Sequence, residues 1–228
     1  MRQKVAEWIN STLSRFGLTI QRMPAGKPIW SDDNAFCTLA EQIGHRTLID
    51  RTRCFMLYQF ALQCRSLEGN IAEIGVYKGG TARLISKVFA ETDKTVHLFD
   101  TFTGMPPTDK NKDLHRKGDF SDVLLDDVKK FLKDCDNTRL WPGIFPDTAS
   151  PIMNMRFCFV HIDADIYKSV MDCCRFFYPR MKTGGTMIFD DYGFATCPGA
   201  KAAVDEFFSE KLEFPCSLPT GQCIVVKL

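Results

Sequence analysis

The 228-residue chain predicts one doubly wound α/β domain with a mostly parallel sheet, preceded by an N-terminal helical segment. Three observations carry this reading. After Gly69, short apolar runs alternate with segments of helical period, the pattern of parallel strands joined by crossover helices. Four of those runs carry acids at or near their C-terminal ends. The chain then closes on LEFPCSL and GQCIVVKL, two runs that predict an antiparallel hairpin added to the sheet.

Each element follows from its local pattern. Val5, Trp8, Ile9, Leu13 and Phe16 share one helical face, and Gly17 offers a stop. Residues 18–45, with Pro24, Gly26 and Pro28, read as a linker or loose cover. A second helical pattern runs from Leu48 to Leu67. IAEIGVY (71–77) and TVHLFDT (95–101) are strands, with TARLISKVFAE (81–91) a helix between them. The polar stretch at 102–120 is too long for a mere connection. SDVLLDDVKKFLKD (121–134) reads as a helix capped by Ser121, and RLWPGIF (139–145) as a short strand. RFCFVHIDA (156–164) and GGTMIFDDYG (184–193) are strands flanking a helix from Lys168 to Arg180. A last helix, Pro198 to Glu210, has proline at its start, where a missing N–H costs nothing.

Composition narrows the function classes. Lys+Arg is 29 and Asp+Glu 28, which gives no support for nucleic acid or an anionic membrane as partner. No apolar stretch approaches the roughly 18 residues of a membrane span, and the N-terminus lacks the pattern of a secretory signal. The ten cysteines contain no C-x-x-C, so zinc-ribbon and thioredoxin readings have no motif. Several lie inside apolar runs and read as small buried hydrophobes in a reducing, cytoplasmic setting.

The strand-terminal acids carry the chemistry. In a parallel sheet the C-terminal strand ends share one edge, where ligands bind. One such aspartate reads as a turn former. Four strands ending this way point to a site: Glu73, Asp100, Asp163 with Asp165, and Asp190 with Asp191. The first strand runs into E-I-G-V-Y-K-G-G-T, which is neither G-x-G-x-x-G, since position 77 is Tyr, nor a P-loop. What remains is a turn at Gly75 that lets a ligand approach the backbone, with the Glu73 carboxylate suited to a cationic ligand. Asp100 is placed to accept ribose hydroxyls. A nucleoside with a cationic tail describes S-adenosylmethionine. Asp163, Asp190 and Asp191 would repel one another in one crevice unless a cation joined them, and hard oxygen ligands favour Mg²⁺ or a similar ion. His161 reads as a satisfied core histidine, and Lys168, at a helix start, as a solvent-facing side chain rather than a base.

The segments LIDRTRCFMLYQF, AEIGVYKGGTARLIS, LFDTFTGMP, KGDFS, GIFPDT, HIDADIYKS, YPRMKTGGTMIFDDYG and PGAKAAVDEF together resemble the macrocin-type (TylF-like) O-methyltransferases. That family includes sugar methyltransferases of macrolide and aminocoumarin biosynthesis. The resemblance covers roughly residues 47–227. It implies a Rossmann-like class I methyltransferase with a seven-stranded sheet over 47–228, while residues 1–46, which do not match the family, read from their own pattern as a helical or cover segment. It also implies metal held by Asp163, Asp190 and Asp191, and Asp165 as general base. Glu73, Gly75, Tyr77 and Thr81 would form the cofactor turn, Asp100 would bind the ribose, and Phe120, Ser121, Gly143 and Ile144 would border the adenine. The expected reaction is metal-dependent methyl transfer from S-adenosylmethionine to a hydroxyl of a sugar or glycosylated natural product. A catechol acceptor meets the same demand for two neighbouring oxygens. A nicotinamide-dependent oxidoreductase would use the same sheet but would want glycine at position 77. A non-catalytic binding module would not need the acid cluster. Residues 1–46 would either cover the site, through Trp8, Phe16, Trp30 and Phe36, or form a subunit contact in a homo-oligomer. Those four aromatics otherwise read as core.

Overall fold

The computed structural model describes residues 26–228, so the helix expected over Val5 to Phe16 lies outside the described residues. The chain forms two compact units, Met1–Asp32 and Asp33–Leu228. Of the first, the described residues form a turn in which the Ser31 N–H donates to the Pro28 carbonyl at 2.9 Å.

The second unit begins with a helix, α1 (Asn34–Ile43), where the sequence suggested loose cover. Asp33 caps it by accepting from the Phe36 N–H at 2.9 Å. Phe36, Ala40 and Ile43 recur at helical spacing and are buried, a signal present in the sequence. The Phe36 ring lies 4.9 Å from Phe55 and 5.5 Å from Tyr58 on α2 (Arg51–Cys64). Phe36 is therefore in the core of the larger unit, which begins at Asp33.

Seven strands form one sheet in the order β3-β2-β1-β4-β5-β7-β6. They are β1 (Asn70–Ile74), β2 (Val96–Asp100), β3 (Thr138–Pro142), β4 (Phe157–Ile162), β5 (Met181–Phe189), β6 (Cys216–Ser217) and β7 (Cys223–Val226). β1 to β5 are parallel, and β7 is antiparallel to both β5 and β6. The doubly wound expectation holds. The chain builds outward through β2 and β3, then returns to the other side of β1 at β4, and the crevice above that reversal is where such sheets bind ligands. Crossover helices α3 (Gly80–Val88), α4 (Leu125–Phe131), α5 (Tyr167–Phe177) and α6 (Pro198–Phe208) complete the unit. The six residues of β4 are all buried, as expected of a central strand covered on both faces.

One element starts late. α4 begins at Leu125 with no side-chain cap, and Ser121 is exposed rather than capping. Tertiary contacts hold residues 122–123 outside the helix: Asp122 accepts from the Tyr77 hydroxyl at 3.0 Å and from Lys78 at 2.5 Å, and Val123 is buried. No helix of the described residues is long and apolar enough to cross a membrane. Eight of the ten cysteines are buried, and burial pushes the Cys54 and Cys158 thiols up to about 12.

Candidate active site at the C-terminal edge of the sheet

Backbone hydrogen bonds extend the parallel ladders one residue past the strands and so align the acids. Gly75 N–H donates to the Phe99 carbonyl, Asp163 N–H to Ile74, Asp190 N–H to Ile162 and Gly143 N–H to Asp100, each at 2.9 Å. A cavity opens there. Its walls are the turns after β1 (Gly75–Tyr77), β2 (Asp100, Thr101), β3 (Gly143–Phe145), β4 (Asp163–Asp165) and β5 (Asp191). Thr81, Arg53, Phe120 and Ile144 also line it.

The glycine at position 75 is demanded by the protein itself. Its φ is +88°, and an added Cβ would sit 1.8 Å from the Asp163 carbonyl oxygen. The space expected for a ligand is taken by the neighbouring strand end, and this close approach brings the first and fourth turns together. Asp100 organises the same turn. One oxygen accepts from the Val76 and Tyr77 N–H groups, both at 2.8 Å, and the other from Phe102 N–H at 2.7 Å. Each carboxylate oxygen has two acceptor sites, so Asp100 keeps capacity for a ligand while lining the cavity. Tyr77 stands edge-on to Phe120, ring centroids 6.5 Å apart.

Glu73 is placed differently from expectation. Strand alternation turns it away from the Ala72 and Ile74 face, and the β1–β4 register sets it opposite His161. Both are fully buried, with His161 Nδ1 2.9 Å from Glu73 Oε1. Glu73 does not line the cavity: its Oε1 faces His161 in the interior, while Oε2 is buried without a hydrogen-bond partner among the described residues. His161 is a core histidine, with Nδ1 against Glu73 and Nε2 without a hydrogen-bond partner among the described residues, so it is only half satisfied. Burial alone would lower its pKa, but the Asp190 and Glu73 carboxylates outweigh that and push it up to about 9. Ser121 likewise does not reach the cavity, for the tertiary reason given above. Lys168 is exposed and pairs with Asp172 at 2.5 Å.

Asp163, Asp190 and Asp191 bring carboxylate oxygens within 4.8 Å of one another. Burial, then repulsion from Asp191 and Asp190, raises Asp163 well above the ordinary carboxylate range. Burial and repulsion from Asp165 and Asp190 do the same to Asp191. Asp165 also lines the cavity and is raised by burial, against a lowering pull from His115. Its backbone adopts φ +55°, and its N–H donates to Asp191 at 3.0 Å. A non-glycine residue held there costs about 1–3 kcal/mol, a strain typical of functional sites.

Several contributors escape a reading by strand ends. Arg53 on α2 contacts the fully buried Asp190 and reaches Asp50 with Nε at 3.1 Å. Gln222, between β6 and β7, donates to the other Asp190 oxygen at 2.8 Å. Asp113 is buried in the long loop and pins it to α5 by accepting from Tyr167 N–H at 2.8 Å. Gly199 makes room for that contact, since a Cβ there would meet the Asp113 carboxylate at 2.0 Å. Arg53 and Gly199 sit inside LIDRTRCFMLYQF and PGAKAAVDEF, so the signal was a motif without an assigned role.

Comparison with known proteins agrees with this architecture. The chain is 30% identical over 156 residues to the demethyldecarbamoylnovobiocin O-methyltransferase of Streptomyces niveus, covering 62% of this chain and 59% of that protein. It is 32% identical over 164 residues to the mycinamicin III 3''-O-methyltransferase of Micromonospora griseorubida, covering 61% and 60%. The chain thus spans about three fifths of the length of these relatives. The solved structure of the O-methyltransferase NovP superposes with a TM-score of 0.70 at 26% identity, over 81% of this chain and 83% of that one. Residues 42–216, which contain every turn lining the cavity, match the family described as Macrocin-O-methyltransferase (TylF), and the chain belongs to that family.

Proposed function

We propose that the protein transfers the methyl group of S-adenosylmethionine to a hydroxyl of a sugar or glycosylated natural product, with a divalent cation such as Mg²⁺ in the carboxylate cluster. The observation that carries this reading is one cavity shared by the Gly75–Tyr77 turn, Asp100 and the acids Asp163, Asp165 and Asp191. The names of the relatives as O-methyltransferases support it. The buried thiols suit a cytoplasmic setting.

The residues fit a hard cation. Three buried or half-buried carboxylates converge, and burial together with like-charge repulsion raises two of them. Asp163, Asp190 and Asp191 would hold the ion, with Arg53 already offsetting one charge. When bound, such a cation supplies Lewis acidity to an acceptor hydroxyl and favours a pair of neighbouring oxygens. Asp165 accepts the hydroxyl proton on its carboxylate as the oxygen attacks the methyl carbon. Asp100 holds the ribose, while Tyr77, Thr81, Phe120, Gly143 and Ile144 border the rest of the cofactor. The loop anchored by Asp113 screens the site from water, which favours a reaction in which opposite charges cancel.

The test is a paired panel of vicinal-diol sugars and catechols with labelled S-adenosylmethionine, run with Mg²⁺ and with excess chelator. Methylated sugar in Mg²⁺ alone is the expected product. Turnover undiminished by chelator after extensive dialysis removes the metal from the mechanism, and turnover of catechols alone overturns the sugar acceptor.

A further inference from the structure

A second cluster stands beside the acids and has different chemistry. His115 from the long loop, Asp165 after β4 and Cys197 at the start of α6 converge on one point. Cys197 Sγ lies 3.6 Å from His115 Nε2 and 3.5 Å from Asp165 Oδ1, and His115 Nε2 lies 3.6 Å from the same Asp165 oxygen. A tetrahedral zinc ion with Zn–S of about 2.3 Å and Zn–N or Zn–O of about 2.0–2.1 Å spaces its ligands about 3.3–3.6 Å apart. The two separations from sulfur match that triangle, and the His115–Asp165 separation is about 0.3 Å longer than its tetrahedral value of about 3.3 Å.

The outer contacts also match. A metal-binding histidine usually gives its other ring nitrogen to a carboxylate, which sets tautomer and orientation. His115 Nδ1 lies 3.3 Å from Asp119 Oδ2, and that oxygen is itself held by the Arg116 N–H at 2.9 Å. His115 Nε2 is thus left facing Cys197 and Asp165. Cys197 is fixed by its own N–H, which donates to the Phe194 carbonyl at 3.0 Å. His115 and Asp165 retain 19% and 18% side-chain exposure, so the cluster is reachable from solvent.

We propose that His115, Asp165 and Cys197 form a binding site for a thiophilic divalent cation, zinc above all, distinct from the carboxylate cluster. The donor set of imidazole, thiolate and one carboxylate favours zinc or cobalt over magnesium. In the metal-free site the Cys197 S–H donates to Asp165 at 3.5 Å. Binding forms the S–metal bond and releases that one proton to solvent. An ion here engages the carboxylate assigned above as the base and so silences it, but the binding itself does not depend on the methyltransferase reading.

The test titrates metal-free, full-length protein with Co²⁺ in excess Mg²⁺, which occupies oxygen-only sites and leaves a thiolate site open. The expected result is a thiolate-to-cobalt charge-transfer band with tetrahedral visible bands, saturating at one equivalent and displaced by Zn²⁺. The band disappears in Cys197→Ser and in Cys197→Ala. Affinity falls at least tenfold in His115→Asn, and roughly 10–100-fold in Asp119→Asn, which removes only the outer contact. His115 lies on a loop, so its variant reports even where a Cys197 variant fails to fold. Absence of the band in the wild-type protein, its persistence in a folded Cys197 variant, or unchanged affinity in His115→Asn overturns the proposal.

Discussion

Replacing Arg53 by methionine keeps most of the alkyl stem and removes only the guanidinium. The structure sets the size of the effect. Arg53 and Asp190 have side-chain exposures of 13% and 0%, so the pair is buried. Breaking a buried pair from one side costs about 3–5 kcal/mol, because the surviving charge is stranded. Two contacts soften this: Gln222 still donates to Asp190 at 2.8 Å, and His161, pushed up to about 9, brings a positive ring to 3.6 Å. The lost Asp50 contact adds little, since Asp50 is 59% exposed. A loss of about 3 kcal/mol is therefore expected, read by urea unfolding at pH 7 in chelator. Asp190→Asn in the same background removes the stranded charge, so the double variant should recover about 1–3 kcal/mol relative to additivity. A loss below about 1 kcal/mol with additive single effects would refute the electrostatic link between α2 and the acid cluster.

Three further outcomes follow from the same geometry. Gly75→Ala places a methyl 1.8 Å from the Asp163 carbonyl at φ +88°; calorimetry should show destabilisation of more than about 2 kcal/mol, and a wild-type melting temperature would contradict the packing. Asp100→Ala removes the carboxylate that accepts from three backbone N–H groups and should weaken S-adenosylhomocysteine binding by about 1–3 kcal/mol by titration calorimetry, with unchanged affinity in a folded variant the contrary result. For Glu213, burial alone would raise the carboxyl, but Lys227 and Tyr178 prevail and lower it from 4.5 to about 2. Its contribution is then fully present above pH 4.5 and is lost as pH falls toward 2, so Glu213→Gln should destabilise by about 1–3 kcal/mol at pH 7 and progressively less in acid. A pH-independent difference would show that the charge is not what Lys227 recognises.

The doubly wound sheet and most of the crevice were legible in the sequence because both depend on local period. A parallel strand shows its length as an apolar run, and its C-terminal acid falls at the shared edge whatever the packing. That reasoning reaches Asp100, Asp163, Asp165, Asp190 and Asp191. It fails for Glu73, which lies one residue inside the end of β1, where pleat and register turn it toward His161. It also fails for Ser121, whose capping propensity yields to the grip of Tyr77 and Lys78 on Asp122. Arg53 meets Asp190 across 137 residues, and Cys197 meets His115 across 82. Such pairings carry no period and no fixed spacing. They exist only once the crossover connections bring α2, the long loop and the start of α6 to one edge. The sequence by itself determined the strands and the acids at their ends; the tertiary structure alone decided which cation, thiol and imidazole face those acids, because that is a property of chain closure and not of any local segment.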